Sequence, residues 1–498
     1  MSAHICSLSR TLLPLFCLFV FLAGPVVVNA ETDREEAQQL KAQVDELKGL
    51  VANLQERVAD LERRNGGMQP SQRNESRYES GSGDAATLQT AALELRRSAP
   101  QPASFETASP EQAPAAASAP RPGTLPGGAT INYYFDGYFE NNFNNPVGRV
   151  NDLRAYDVLS RTFSINQAAL IFALDPDLDA RRRYGLRIDL QYGQATETSQ
   201  GNPANEPRPE IYRNIFQAFG TYIVPVGSGL NVDFGKWASS LGIEGNYTKD
   251  QMNYSRSFLF YFLPFYHQGL RLHYNFNPKL AVNYWLVNGT NQSEPTNGYR
   301  DELFGLALQP AKTLSWTVNY YLGQEHPDTV PATNCIGPVQ PGLCLAPLTP
   351  APDGKLHIFD TYATWNATPK LAVAGEADYV IQREWANAAP GQSSAPVHDI
   401  GGAGYLQYLF SSRQSVAARG EYLSDRGGSF SNVTQALKEA TGTYRYNFGD
   451  GFSAFLEYRR DWSNRPYFVT DNPAAPSTHQ DTAGVGLVWW YGGKEGAW

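Results

Sequence analysis

The sequence predicts an all-β fold: a transmembrane antiparallel β-barrel of about 16 strands, within a range of 14–18, preceded by a short α-helical coiled coil. Three observations predict it. Of 62 aromatic residues, 57 follow Gly127, including all nine Trp and 27 of 28 Tyr. Apolar residues in that portion recur with a period of two, and its connections alternate between tight turns and long polar excursions. A mean hydropathy of −0.41 excludes a polytopic helical membrane protein, which needs repeated apolar runs of roughly 20 residues.

Residues 1–30 have the layout of a secretory signal: Arg10, an apolar core over 12–23, and the small-residue ending Val28-Asn29-Ala30, with cleavage expected before Glu31. Cys17 lies inside the apolar core, which argues against a lipid-anchor site. In 31–64, Ala37, Leu40, Val44, Leu47, Val51, Leu54, Val58 and Leu61 recur at alternating spacings of three and four, the seam of a coiled coil. Val at a and Leu at d favour two parallel strands, while Leu50 at g widens the stripe enough for a third. A lone amphipathic helix lying on the barrel is the alternative. Residues 65–128 turn to Ala, Pro, Ser, Gly and Gln, too polar to offset their ordering entropy by burial, and are expected to form a disordered linker.

The barrel is assigned to 129–498. Leu186, Ile188, Leu190 and Tyr192 alternate with Arg187, Asp189 and Gln191, as Leu314, Trp316, Val318, Tyr320 and Leu322 do with their polar neighbours. A soluble sandwich alternates too; the connections decide. Tight turns at 175–182, 225–229, 277–279, 310–312, 368–370, 412–413 and 449–451 alternate with long stretches at 144–156, 196–214, 240–264, 290–300, 325–354, 385–398, 427–434 and 463–479. Short on one rim and long on the other is how outer-membrane barrels are built. Lipid offers no hydrogen-bond partners, so only a closed sheet satisfies every strand's backbone, and half the residues of each strand suffice to make its outside apolar.

Several stretches resemble a family of outer-membrane β-barrel porins of Gram-negative bacteria. They are Gln194-Ala195-Thr196-Glu197-Thr198 with Gly201-Asn202-Pro203, Ile215-Phe216-Gln217-Ala218-Phe219, Asp233-Phe234-Gly235-Lys236-Trp237-Ala238-Ser239-Ser240-Leu241-Gly242-Ile243-Glu244, and Asn283-Tyr284-Trp285-Leu286-Val287-Asn288-Gly289-Thr290. The resemblance covers roughly 132–498 and implies an outer-membrane barrel that passes small hydrophilic solutes. A coiled coil ahead of the barrel is similar to the layout of phosphate-selective porins, although no dense inward ladder of Arg or Lys is present. Trp498 supplies the terminal aromatic usual in such barrels, but Gly492-Gly493-Lys494-Glu495-Gly496 interrupts the alternation before it, so the last strand is expected over 481–491.

The excursion 240–264 is the expected constriction. It carries Glu244, Lys249, Asp250 and Arg256 beside the apolar run 258–263, which could pack on the inner wall while the charges face the channel. The alternative is a strand extension or surface cover. Inward parity assigns Arg187, Asp189, Glu376, Asp378, Arg419, Glu421, Arg445, Glu457 and Arg459 to the lumen. With 28 basic and 34 acidic residues over 128–498, the barrel does not read as anion-specific. Cys335 and Cys344, in a Pro/Gly-rich loop of an exported chain, are expected to form a disulfide; a metal site would have only His326 nearby.

An enzyme is not expected: the histidines His267, His273, His326, His357, His398 and His479 fall in no Gly-x-Ser-x-Gly or His-Glu-x-x-His context, and no cofactor signature appears. The expected partners are outer-membrane lipids, further copies of the chain as a homo-oligomer such as a trimer, small hydrophilic solutes, and the cell wall through the coiled coil. Without a basic patch, nucleic acid is not among them. The competing reading is a structural outer-membrane anchor with a plugged barrel.

Overall fold

The structure is a computed structural model that describes residues 123–200, 209–330, 349–350, 354–383 and 395–493. The chain divides into two compact units, 1–81 and 82–498, and all described residues belong to the second. The signal, the coiled coil, most of the linker, Cys335, Cys344 and Trp498 lie outside the described residues.

Sixteen strands form the wall: β1 (Thr130–Asn142), β2 (Phe163–Leu174), β3 (Tyr184–Tyr192), β4 (Ile215–Val224), β5 (Leu230–Ala238), β6 (Tyr266–Asn277), β7 (Leu280–Val287) and β8 (Asp301–Ala311). They continue through β9 (Leu314–Gly323), β10 (Leu356–Thr368), β11 (Leu371–Arg383), β12 (Pro396–Leu409), β13 (Gln414–Asp425), β14 (Gln435–Gly449), β15 (Phe452–Ser463) and β16 (His479–Gly492). Each pairs antiparallel with its sequence neighbours, and β1 closes on β16 from Asn132↔Gly492 to Asn142↔Thr482, so no edge is left unpaired. Thr329–Val330 and Thr349–Pro350 make a small separate ribbon in the long connection after β9.

The period-two pattern becomes two faces. In β1, Asn132, Tyr134, Asp136 and Tyr138 are buried inward, while Tyr133 and Phe135 are 52% and 39% exposed outward. Exposed aromatics pair across the rims: Tyr274 with Phe276, Tyr408 with Phe410 and Trp489 with Tyr491 near the turns, and Phe139 with Phe163 and Tyr320 with Phe359 towards the loops. Amphipathic rings favour the two levels where a membrane meets water.

The turns match the twist of the strands they join. Asp450 and Gly451, with φ of 51° and 76°, adopt the left-handed conformation of a two-residue hairpin turn between β14 and β15. A side chain at position 451 would collide with the Trp490 carbonyl, so glycine is required there. One expectation is corrected and one alternative set aside. The last strand begins two residues earlier than 481 and extends to Gly492, because the Gly492 backbone still pairs with Asn132. The run 258–263 extends no strand: Phe258–Phe262 is a one-turn helix, and Phe258, Leu259, Phe260 and Leu263 are fully buried.

Candidate pore constriction

The connection between β5 and β6 turns into the barrel as soon as it leaves the wall. The His267 ring contacts the Ser239 hydroxyl at 3.0 Å, and the Asn291 side chain accepts from the Phe265 N–H at 2.7 Å, fixing where the chain departs and returns. In between, the segment bonds to inward side chains of eight strands, including Gln167 on β2 and Asn319 on β9, each at 2.9 Å. Gly242 N–H donates to Asp360 Oδ1 on β10 (2.9 Å), and Tyr247 O–H to Asp189 on β3 (2.8 Å). The Thr248 hydroxyl and the Tyr254 phenol both donate to Asp136 on β1 at 2.6 Å. Asn253 reaches Thr443 on β14 (2.7 Å), and Tyr254 and Ser255 N–H groups share the Glu457 carboxylate on β15 (2.7 and 2.9 Å). On β13, the Glu421 carboxylate accepts from Phe258 and Leu259 N–H at 2.7 and 2.6 Å.

The short helix forms because its start is capped twice. Ser257 Oγ accepts from Phe260 N–H at 2.9 Å, and Glu421 supplies negative charge to free N–H groups that have no partner in the preceding turn. Its rings pack against Phe430 from the β13–β14 loop (Phe258 at 6.0 Å, Tyr261 at 5.6 Å) and Tyr156 from the β1–β2 loop (Phe260 at 5.3 Å). Gly401 on β12 leaves the space that Leu259 fills.

Of the four charged residues expected on this segment, three are buried: Glu244, Lys249 and Arg256. Glu244 pairs with Arg419 at 2.7 Å and accepts from Ser257 N–H. Arg256, fully buried, donates to the carbonyls of Gly245, Tyr254 and Asn246 between 2.8 and 3.1 Å, and so ties the segment to itself. The expectation that all four charges face the channel is therefore corrected: burial of a charge is tolerable only where it is paired or hydrogen-bonded, and Glu244 and Arg256 are. Lys249 pairs with Asp250 at 2.7 Å, and burial, opposed by that carboxylate, lowers the lysine pKa. Burial first, and the Asp189 and Asp136 carboxylates second, raise the Tyr247 and Tyr254 hydroxyls well above their ordinary value, so both are donors.

Beside the segment, against β3–β7, lies a cavity of about 380 Å³ lined by Arg187, Asp233, Tyr247, Asp250, Arg271 and Trp285 among others. Opposite charges pair along its wall: Arg187 with Asp189 at 2.9 Å on β3, and Arg271 on β6 with Asp233 on β5 at 2.7 Å. The remaining lumen charges gather on the other side. Arg419 pairs with Glu439 at 2.5 Å, Arg459 with Asp461 at 2.6 Å, and Arg445 donates to the Lys249 carbonyl at 3.1 Å. Glu376 and Asp378 lie beside Asp360.

The β1–β2 loop folds inward as well, with Arg154 held between Asp157 and Asp461. Burial lowers and the two carboxylates raise the Arg154 pKa, and the carboxylates prevail. Burial pushes the Asp157 carboxyl up, but the Arg154 and Arg459 guanidinium groups outweigh it and hold the group below the usual carboxylate range. Sequence reasoning missed Asp136, Arg154, Asp233, Asp360, Asp461, Tyr247 and Tyr254. Strand parity would have found Asp136, Asp233, Asp360 and Asp461; nothing local marks the other three.

Among solved structures, the outer membrane channel DcaP of Acinetobacter baumannii is similar over 74% of this chain and 99% of its own, at 10% identity and a TM-score of 0.46. The anion-selective porin from Comamonas acidovorans is similar over 73% and 99%, at 6% identity and 0.44, and the trimer form of OmpT, an outer membrane protein of Vibrio cholerae, over 73% and 99%, at 8% and 0.42. No curated protein matches in sequence. The profile of the family described as "Putative beta-barrel porin-2, OmpL-like" matches residues 128–489, the whole barrel but for its last few residues, and the chain belongs to that family.

Proposed function

We propose that the protein is an outer-membrane pore through which small hydrophilic solutes diffuse passively, with the 239–265 segment as its constriction. The observation that carries this reading is the segment itself: it crosses the lumen on bonds to eight strands yet leaves a polar cavity lined by both signs of charge beside it. Pore diameter and lining charge set selectivity, and a constriction that must not move under ion flux needs this kind of anchoring. Outward apolar and aromatic side chains would meet outer-membrane lipid, and the lumen would stay wet.

The remaining organisation belongs to the same proposal. Residues 1–30 direct export, 31–64 form a periplasmic coiled coil that assembles the chain as a homo-oligomer, a trimer, and can touch the cell wall, and 65–128 are a linker. Cys335 and Cys344 form a disulfide in the loop after β9. An enzymatic role has no support in the family. Reversal potential in a salt gradient across the reconstituted protein tests the pore reading. Stable current with a weak ion preference supports it, and a membrane that never conducts refutes it in favour of a plugged anchor.

A further inference from the structure

We infer that the lumen wall carries a divalent cation site, of the calcium type, built from Asp360, Glu376 and Asp378. Strand register creates it: Asp360 on β10 faces Asp378 on β11 directly, and Glu376 lies two residues along β11 on the same face. One carboxylate oxygen from each lies within 4.8 Å of the others. All three residues are buried, at 2%, 7% and 3% exposure.

Their partners are unequal. Asp360 accepts from Gly242 N–H at 2.9 Å and from the Asn319 amide at 2.7 Å, which fixes its carboxylate. Glu376 accepts from Tyr405 O–H at 3.3 Å through one oxygen, and its other oxygen has no hydrogen-bond partner. Neither oxygen of Asp378 accepts from a donor outside the cluster, although the side chain is buried; its carboxyl faces those of Asp360 and Glu376. No described lysine or arginine pairs with any of the three, whereas the neighbouring lumen carboxylates Glu244, Glu439 and Asp461 all have an arginine. Buried oxygens of like charge without a counter-charge are costly, and a cation removes the cost. The donors are all hard carboxylate oxygens held on strands, which suits calcium, a cation that takes oxygen ligands and tolerates irregular coordination, over the softer transition metals. Because Asp360 also holds Gly242, an ion here would sit at the foot of the segment that crosses the lumen.

The test uses the full chain refolded in detergent, free of lipopolysaccharide and stripped with a chelator. Calcium is titrated by calorimetry, and terbium by its luminescence, which Tyr405 can sensitise at this distance. Saturable binding that calcium displaces and sodium does not, weakened at least tenfold in both D378N and E376Q and unchanged in the exposed-loop variant D471N, is the expected result. Mobility on unheated gels establishes that each variant is folded. No uptake by the unmodified chain overturns the inference without recourse to any variant, and so does an affinity that stays within twofold in both folded variants, which would mean that the three carboxyls hold protons instead.

Discussion

Arg419 on β13 and Glu244 on the segment that crosses the lumen stand 175 positions apart in sequence and 2.7 Å apart in space. The same guanidinium reaches Glu439 at 2.5 Å and the Ser255 carbonyl at 2.8 Å, so one side chain fastens the constriction to the wall at two points and neutralises two buried carboxylates. Replacing it with methionine leaves both carboxylates buried without a counter-charge, a loss of ~3–5 kcal/mol for a pair broken this way. R419M is expected to lower the temperature at which the folded band disappears on unheated gels, and to give noisier single-channel current than the unmodified protein. Current noise and melting equal to the parent would show that Arg419 is not the clamp.

Charge preference should follow the Lys249–Asp250 pair, because Asp250 lines the cavity and Lys249 stands behind it. D250N removes the negative member and is expected to move the reversal potential towards anion preference; K249Q should move it the other way. Shifts of the same sign in both variants would place the ion path elsewhere.

The inward fold of the β1–β2 loop is expected to be acid-sensitive. Asp157 has a folded-state pKa below its unfolded one, so its contribution is complete above the ordinary carboxylate value of about 3.9 and is lost as pH falls through the folded value. Limited proteolysis should leave 143–162 intact between neutral pH and pH ~5 and cut it in stronger acid. D157N should expose the loop at neutral pH, since it leaves Arg154 without one of its two carboxylates. Equal protection of parent and variant at pH 7 would refute the assignment.

Sixteen strands, their rims and their inward parity could be read from the sequence because lipid on one side and water on the other impose a strict period of two, and Arg187 and Asp189 alternating with Leu186, Ile188 and Leu190 show it. What fills the lumen could not be read. The apolar run 258–263 has no period that separates strand from helix, and its burial depends on Phe430 and Tyr156, which arrive from distant loops. The fate of Glu244 and Arg256 likewise depends on Arg419 and on carbonyls that only the folded segment brings near. Local pattern records which way a side chain points, not what waits there.

Turn chemistry was legible, and it gives a stability prediction. G451A puts a side chain at φ 76° and against the Trp490 carbonyl. The left-handed conformation alone costs roughly 1–2 kcal/mol for a non-glycine residue. Refolding into detergent should give less closed barrel and a lower urea midpoint, and a midpoint equal to the parent's would contradict the register of β14 and β15.

The proposed pore is a closed wall around a water path that the crossing segment would narrow without sealing. Planar-bilayer recording of the purified chain tests this directly. Discrete, long-lived conductance steps are predicted at moderate voltage; insertion without any steps, with the barrel shown to be folded, would contradict it.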